Sequence, residues 1–332
     1  MGLRTLLALV FITFGAALPA LAQSGQPTSV NPTASAVREE QLLRELDRVN
    51  GRVSIPDAKS GLLIQPEGRE YRAWHEQTIP TIGAYAILGV AALLLLFYLV
   101  RGRVRLSKGF SGVKLIRFNA FDRFIHWLTA TSFIILALSG LNLVFGKTLL
   151  LPLIGPEAFT TVSQLGKYAH NYLSLPFTVG LVFMLLLWLK DNIPGWSDVK
   201  WFLAGGGMVG SYHPPAKRFN GGQKFIFWSV VLIGGAIAVS GYILMFPFYE
   251  TTIAGMQLAH LVHSVGGIIL VAVILGHIYI GSIGMEGAFD AMGSGKVDAN
   301  WAREHHSLWA ETAPRADDGR PASMPSGVAP AE

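Results

Sequence analysis

Residues 257–283, QLAHLVHSVGGIILVAVILGHIYIGSI, decide the fold, because they are apolar throughout and carry His263 and His277 fourteen residues apart. At about 100° per residue, that step turns a helix to within about 40° of four full turns. A rise of about 1.5 Å per residue separates the two rings by about 21 Å along the axis. We therefore predict a transmembrane helix with both histidines on one face, near opposite leaflets.

Four more apolar runs precede this one. Of the 332 residues, 51% are hydrophobic and 14% are charged, a balance too apolar for one soluble domain. We predict an all-α membrane protein in which a four-helix transmembrane bundle follows one extra N-terminal span. The five spans are placed at residues 79–100, 121–145, 173–189, 225–247 and 257–283.

The N-terminal end has the pattern of an export signal. Residues 1–22 have a basic start, a short apolar core and Ala20-Leu21-Ala22 before Gln23, which predicts a signal peptide; an uncleaved anchor is the alternative. Residues 23–78 are mixed and polar, with an amphipathic stretch at 37–49, and are expected to form an exported, partly disordered segment. The remaining divisions are the extra span 79–100, a basic linker 101–117, the bundle 118–290 and a tail 291–332.

Basic residues predict the orientation. Residues 101–123 carry seven Lys or Arg and the third-to-fourth loop carries five, whereas the second-to-third loop carries two and the fourth-to-fifth loop carries none. By the positive-inside rule, the mature N-terminus is periplasmic and the C-terminus cytoplasmic in a bacterial inner membrane. The net charge of +5 reflects this topology, and no motif for a nucleic-acid partner accompanies it.

The chain has no cysteine. It therefore cannot form a disulfide, attach a c-type haem or ligate an ordinary iron–sulfur cluster with its own thiolates. Any cluster that supplies it with electrons must belong to a partner.

Histidines in three spans define the candidate site. In the predicted topology, His126 lies level with His277 near the inner face, and His170 lies level with His263 near the outer face. A neutral imidazole is a good haem-iron ligand, so these two pairs predict two bis-histidine haems b as the metal sites. Packing of helices through histidines, or a proton relay in a transporter or haem-free anchor, is the alternative.

The other histidines are not predicted to bind haem, and several small residues allow two interpretations. His260 is rotated by about 100° from the ligand face and is expected at the external interface. His75, His213, His305 and His306 lie outside the spans and are expected to be solvated or to contact a partner. Small residues beside the ligands suit either close helix packing or a cofactor: Gly266, Gly267, Gly276, Ser139 and Gly140.

Four sequence blocks together resemble a known family. They are FDRFIHW at 121–127, RFNGGQKFIFWS at 218–229, HSVGGIILVAVILGHIY at 263–279 and GKVDANWAREHH at 295–306. The combination, over about residues 115–310, is similar to the gamma subunit, a cytochrome b, of membrane-bound formate dehydrogenase. Related cytochromes b of nickel–iron hydrogenases or other molybdoenzymes are the alternative. The first 110 residues depart from the short form of the family.

The resemblance implies an electron-transfer subunit of a formate:quinone oxidoreductase. Its expected partners are an iron–sulfur beta subunit and a molybdenum- or tungsten-containing alpha subunit, on which formate is oxidised. The implied ligands of the two haems b are His126, His170, His263 and His277, and the implied quinone pocket is at Asn220 and Gly222. Read from the residues alone, Asn220 can donate to a quinone carbonyl and the glycines admit a head group. Lys224 and Arg218 are expected near haem propionates or lipid phosphates.

Overall fold

The computed structural model describes residues 50–52, 62–64, 68–207, 212–247, 249 and 251–316. The predicted signal peptide and the amphipathic stretch at 37–49 lie outside these residues. The chain divides into two compact units, Met1–Glu67 and Gly68–Glu332. The described part of the first unit is an antiparallel pair of strands, β1 Asn50–Arg52 and β2 Leu62–Ile64.

The second unit is built on long helices. In chain order, its elements up to the end of the last long helix are α1 Gly68–Ala73, α2 Ile79–Arg101, β3 Lys114–Ile116, α3 Ala120–Leu149, α4 Leu151–Trp188, α5 Trp196–Leu203, α6 Gly221–Met245 and α7 Ile253–Tyr279. Helices α2, α3, α4, α6 and α7 each carry a segment long and apolar enough to cross a membrane. The prediction of five long apolar helices is confirmed.

Two helices extend further than the predicted spans. The third span was predicted at 173–189, but α4 already begins at Leu151 and bends at Gly155, where φ is 77°. The first span was predicted from residue 79, but a π turn, Trp74–Thr78, joins α1 to α2, so the helical segment begins at Gly68. Hydropathy marks only the part of a helix that hydrocarbon can surround, whereas polar residues such as Lys167 continue the helix beyond that part.

Four of the long helices, α3, α4, α6 and α7, pack in a ring. Helix α3 packs against α4, α4 against α6 and α6 against α7, while α7 and α3 touch less closely. Phe177, Leu181, Phe227 and Leu270 are buried between these helices. Helix α2 packs on α7 from outside the ring, where a Cβ added at Gly83 would lie 2.8 Å from Ile268 Cδ1. The small residue thus lets the Ile268 side chain pack directly on the backbone of α2.

The linker and the tail fold together into a compact lobe of residues 104–118 and 285–316, here called the linker–tail lobe. Strand β3 pairs antiparallel with β4 Lys296–Asp298. The lobe also contains three short helices: α8 Asp290–Gly293, α9 Ala299–His305 and α10 Ser307–Ala310. Leu115 and Val297 at its centre are fully buried. Sequence patterns did not predict this pairing, because a three-residue strand is too short to show a period of two.

One buried carboxylate joins the two halves of the lobe. Asp298 is 2% exposed. Its Oδ1 accepts from the backbone and hydroxyl of Ser111 at 3.0 Å and from Asn300 N at 2.8 Å, and its Oδ2 accepts from Gly112 N at 3.0 Å. Burial alone would raise the pKa of Asp298, but these hydrogen bonds outweigh it and hold the pKa below the ordinary 3.8. Their stabilisation is therefore complete above pH 3.8 and is lost as the pH falls through the lower folded-state pKa.

We predict that Asp298→Asn opens the lobe at neutral pH, because the new amide group faces a backbone donor. Leaving buried donors unpaired should cost about 1–3 kcal/mol, so trypsin should cleave the linker about 5- to 150-fold faster. Asp290→Asn is the matched control, since its half-exposed pair with Lys114 Nζ at 3.2 Å should contribute little. Equal cleavage rates for the two variants would contradict this role of Asp298.

Candidate functional site

Two pairs of histidine rings meet between the long helices. His126 on α3 and His277 on α7 have ring centroids 6.2 Å apart at an interplanar angle of 60°. His170 on α4 and His263 on α7 have centroids 6.0 Å apart at 63°. All four rings are half-buried. The structure thus brings together the two pairs that the spacing on α7 predicted.

Helix caps fix the position of these rings along their helices. Helix α3 begins with a capping box, in which Asn119 Oδ1 accepts from Asp122 N at 2.8 Å and Asp122 Oδ2 accepts from Asn119 N at 3.1 Å. The other oxygen of Asp122 accepts from Trp188 Nε1 at 2.8 Å, which ties the start of α3 to the end of α4. His126 lies one turn after this junction. Thr252 Oγ1 caps α7 by accepting from Gly255 N at 3.1 Å.

The His170–His263 pair has hydrogen bonds on one side of each ring. His170 Nδ1 lies 2.9 Å from Ser139 Oγ, and His263 Nδ1 lies 3.0 Å from the carbonyl oxygen of Ile237 and 3.3 Å from Ser240 Oγ. A donor at Nδ1 leaves Nε2 deprotonated in the neutral ring, which is the form that binds a metal. These partners therefore orient both rings with Nε2 available.

Glycines lie against the same two rings. A Cβ at Gly140 would be 3.5 Å from His170 Cε1, and a Cβ at Gly241 would be 3.0 Å from His263 Cε1. Ser139 and Gly140 were expected from the sequence only as small residues on the His126 helix. Ser240 and Gly241 were missed, although the repeated Ser-Gly pair, in ALSG and AVSG, was a signal that could have found them.

The His126–His277 pair has no comparable hydrogen bonds to its rings among the described residues. His126 has no hydrogen bond in the described part of the chain, and its Nδ1 is buried. A buried polar atom without a partner costs about 1–3 kcal/mol. No hydrogen bond joins the two rings of either pair among the described residues, so direct histidine pairing does not account for their approach.

The spacing within each pair suits a metal held between two imidazoles. Bonds of about 2 Å on each side would put the two nitrogens about 4 Å apart and the ring centres about 6 Å apart. The observed centroid separations are 6.2 and 6.0 Å. The residues present therefore fit a bis-histidine metal group, such as a haem, at both levels of the bundle.

His260 has different neighbours from His263. Its Nδ1 lies 2.5 Å from Tyr71 Oη, and its ring stacks on His75 with centroids 4.6 Å apart. Both partners belong to the helical segment that precedes α2. His260 thus contacts the helical segment 68–78 and belongs to neither ring pair.

The predicted quinone pocket is occupied in part by the protein itself. Asn220 caps α6: its Oδ1 accepts from Gln223 N at 3.0 Å, while its amide nitrogen has no partner among the described residues. The indole of Trp201 covers Gly222, since a Cβ there would lie 2.7 Å from Trp201 Cη2. Gly222 therefore makes room for Trp201, which sequence reasoning missed because the two residues are twenty-one positions apart.

The basic residues of this block are paired with carboxylates. Lys224 Nζ lies 2.8 Å from Asp198 Oδ2, and Arg218 NH1 lies 2.9 Å from Asp191 Oδ2. These carboxylates provide the charge partners of Lys224 and Arg218 without a haem propionate or a lipid phosphate.

His305 and His306 were expected to be solvated or to contact a partner. The expectation of solvation is wrong, because the tail folds back on the linker and leaves the two side chains 6% and 0% exposed.

Comparison with known proteins shows the family to which the chain belongs. The family of prokaryotic cytochrome b561 matches residues 117–295, which is more than half of the chain and includes all four paired histidines. The chain belongs to this family, whose members are cytochromes b of the membrane.

The resemblance to formate dehydrogenase cytochromes b is confirmed. The cytochrome b556(Fdn) subunit of nitrate-inducible formate dehydrogenase from Escherichia coli K12 is 31% identical over 201 residues, covering 59% of this chain and 89% of the relative. The cytochrome b556(fdo) subunit from the same strain is 28% identical over 203 residues, covering 59% and 91%. The cytochrome b556 subunit of Haemophilus influenzae formate dehydrogenase is 25% identical over 205 residues, covering 59% and 82%.

Proposed function

We propose that this chain is the dihaem cytochrome b subunit of a formate dehydrogenase, which anchors the complex and passes electrons from a partner's iron–sulfur subunit to membrane quinone. The observation that carries the proposal is the approach of two histidine pairs to about the ring separation that a shared metal requires, on helices that the family covers. Formate chemistry itself belongs to a molybdenum- or tungsten-containing partner.

His126 and His277 would hold one haem b, and His170 and His263 the other. Bound haem b supplies one-electron transfer, and two imidazoles leave its iron no open position for oxygen chemistry. The protein's part is orientation: Ser139 and the carbonyl of Ile237 hold Nδ1 of the second pair. The apolar helices around both levels exclude water.

The direction of electron flow rests on the predicted orientation. By the positive-inside rule, the basic residues of the linker and of the α4–α6 connection favour a cytoplasmic position for the His126–His277 level. Electrons would come from a partner's cluster, since the chain has no thiolates for a cluster of its own. They would enter at the outer, His170–His263 level, as the resemblance to formate dehydrogenase implies. Quinone would be reduced at the cytoplasmic level, so that turnover builds membrane potential.

Asn220 is the donor proposed for quinone. Its side-chain oxygen is used by the helix cap, but its amide N–H groups have no partner in the described part of the chain and can donate to a quinone carbonyl. Trp201, which lies against Gly222, would form a flat apolar wall beside the same helix start. Gly222 thus serves the pocket by admitting Trp201.

We predict that Ala in place of any one of His126, His170, His263 or His277 lowers the haem b content from two to one per chain. The measure is the pyridine haemochrome of the purified complex against protein. His260→Ala is the matched control, because this ring contacts Tyr71 and His75, and it should retain both haems. Loss of a haem in His260→Ala with retention in His263→Ala would refute the ligand assignment.

We predict that Ser139→Ala raises the midpoint potential of one haem by on the order of tens of millivolts. Removal of the Ser139 hydroxyl, which lies 2.9 Å from His170 Nδ1, makes the imidazole less basic, so that it stabilises ferric iron less well. Ser240→Ala is the control, since His263 keeps the Ile237 carbonyl at 3.0 Å. A redox titration that finds equal shifts, or none, in the two variants would count against this role.

We predict that Asn220→Ser slows reoxidation of the formate-reduced haems by quinone about threefold to tenfold, the size of one lost hydrogen bond. Serine still caps α6 but lacks the amide donor. Asn119→Ser makes the same exchange at the cap of α3 and should reoxidise at the normal rate. The measurement is the rate of haem reoxidation in both variants, followed by stopped-flow absorption spectroscopy. A normal rate in Asn220→Ser, or equal slowing in both variants, would contradict a contact between Asn220 and quinone.

A further inference from the structure

A second group of potential metal ligands lies apart from the paired rings. His213, in the segment between α5 and α6, meets Glu304 and His305 at the end of α9. One ligand atom from each residue lies within 4.8 Å of the others. The His213 and His305 rings have centroids 5.0 Å apart, and His213 Nε2 lies 3.7 Å from Glu304 Oε1.

The two oxygens of Glu304 have different surroundings. Oε2 accepts from the backbone nitrogen of Ser107 at 3.0 Å and from its hydroxyl at 2.6 Å. Oε1 faces His213 Nε2, but 3.7 Å is too long for a hydrogen bond. The linker thus orients the carboxylate and leaves one oxygen directed into the cluster.

His213 Nε2 is buried without a hydrogen-bond partner among the described residues. The side chains of His213 and Glu304 are only 16% and 11% exposed, and His305 is buried. Such a nitrogen requires an explanation, because buried polar atoms are nearly always paired. Gly207, with φ of 69°, adjoins this ring: a Cβ there would lie 2.6 Å from His213 Cδ2, so the backbone comes as close as only glycine permits.

The protonation state of His305 is compatible with metal binding. Burial first, and then the neighbouring His213, lower the pKa of His305 to about 4, although Glu304 acts in the opposite sense. His305 is therefore neutral at physiological pH, as a metal ligand must be. Arg117 also lowers the pKa of His305, and its positive charge weakens the binding of any cation that reaches the cluster.

We propose that His213, Glu304 and His305 form a binding site for a divalent transition-metal ion of the zinc class. Two imidazole nitrogens and one carboxylate oxygen are a ligand set that Zn²⁺ accepts, with a fourth position open to water. The ion joins three separate parts of the chain: the linker through Ser107, the α5–α6 connection through His213 and the tail through α9. This site does not depend on the proposed electron-transfer function.

The test is zinc stoichiometry in the purified complex after chelator treatment and titration with Zn²⁺. Wild type should take up one more zinc per complex than His213→Ala, as measured by elemental analysis after removal of free metal. Glu304→Gln should weaken uptake at least tenfold. His75→Ala is the matched control, since it removes a partly buried histidine from another histidine cluster and should bind as wild type does.

Cobalt provides a second readout that does not depend on the variants. Co²⁺ added to the chelated wild-type complex should give visible ligand-field bands of a four-coordinate nitrogen–oxygen site, in a difference spectrum free of haem changes. Equal zinc uptake in wild type and His213→Ala, or the absence of the cobalt bands in wild type, would overturn the proposal. Unchanged haem spectra in each variant establish that it has folded.

Discussion

The structure depends on the constraint that polar imidazoles within apolar helices must have partners. A histidine in hydrocarbon without a partner is costly. Helix α7 carries two such rings, His263 about three turns after its start and His277 in its last turn. Each of them meets a ring from another helix, His277 with His126 and His263 with His170. Helices α3 and α4 bring these rings to α7, although the backbones of α3 and α7 approach less closely than those of neighbouring pairs in the ring.

The pairs could be predicted from sequence because histidine is rare in spans and the helical period is regular. Fourteen residues put His263 and His277 on one face, and the loop charges gave the level of His126 and His170. The surroundings of the site could not be predicted in the same way. Trp201 reaches Gly222 through a turn that hydropathy does not describe, and the linker–tail lobe depends on three-residue strands and the carboxylate of Asp298.

Structural hydrogen bonds and ion pairs occupy polar groups that could otherwise bind a ligand. Lys224 is held by Asp198 and by the carbonyl of Ile193 at 3.0 Å, so it stabilises the start of α6. Within the described ranges, the side-chain amide nitrogen of Asn220 has no partner, because its capping bond uses the oxygen.

The helical segment 68–101 is joined to the ring of helices by α2 on α7 and by Tyr71 and His75 on His260. It thus contacts α7 one turn from His263, on a different side of the helix from the paired rings.

The central claim is that each histidine pair holds one haem iron. The most direct measurement is a redox titration of the purified wild-type complex, followed in the b-haem absorption band and by electron paramagnetic resonance of the oxidised state. The account predicts two one-electron components per chain, both low-spin in the ferric state, because both irons have two imidazole ligands. A single component, or a high-spin ferric haem with an open coordination position, would contradict it.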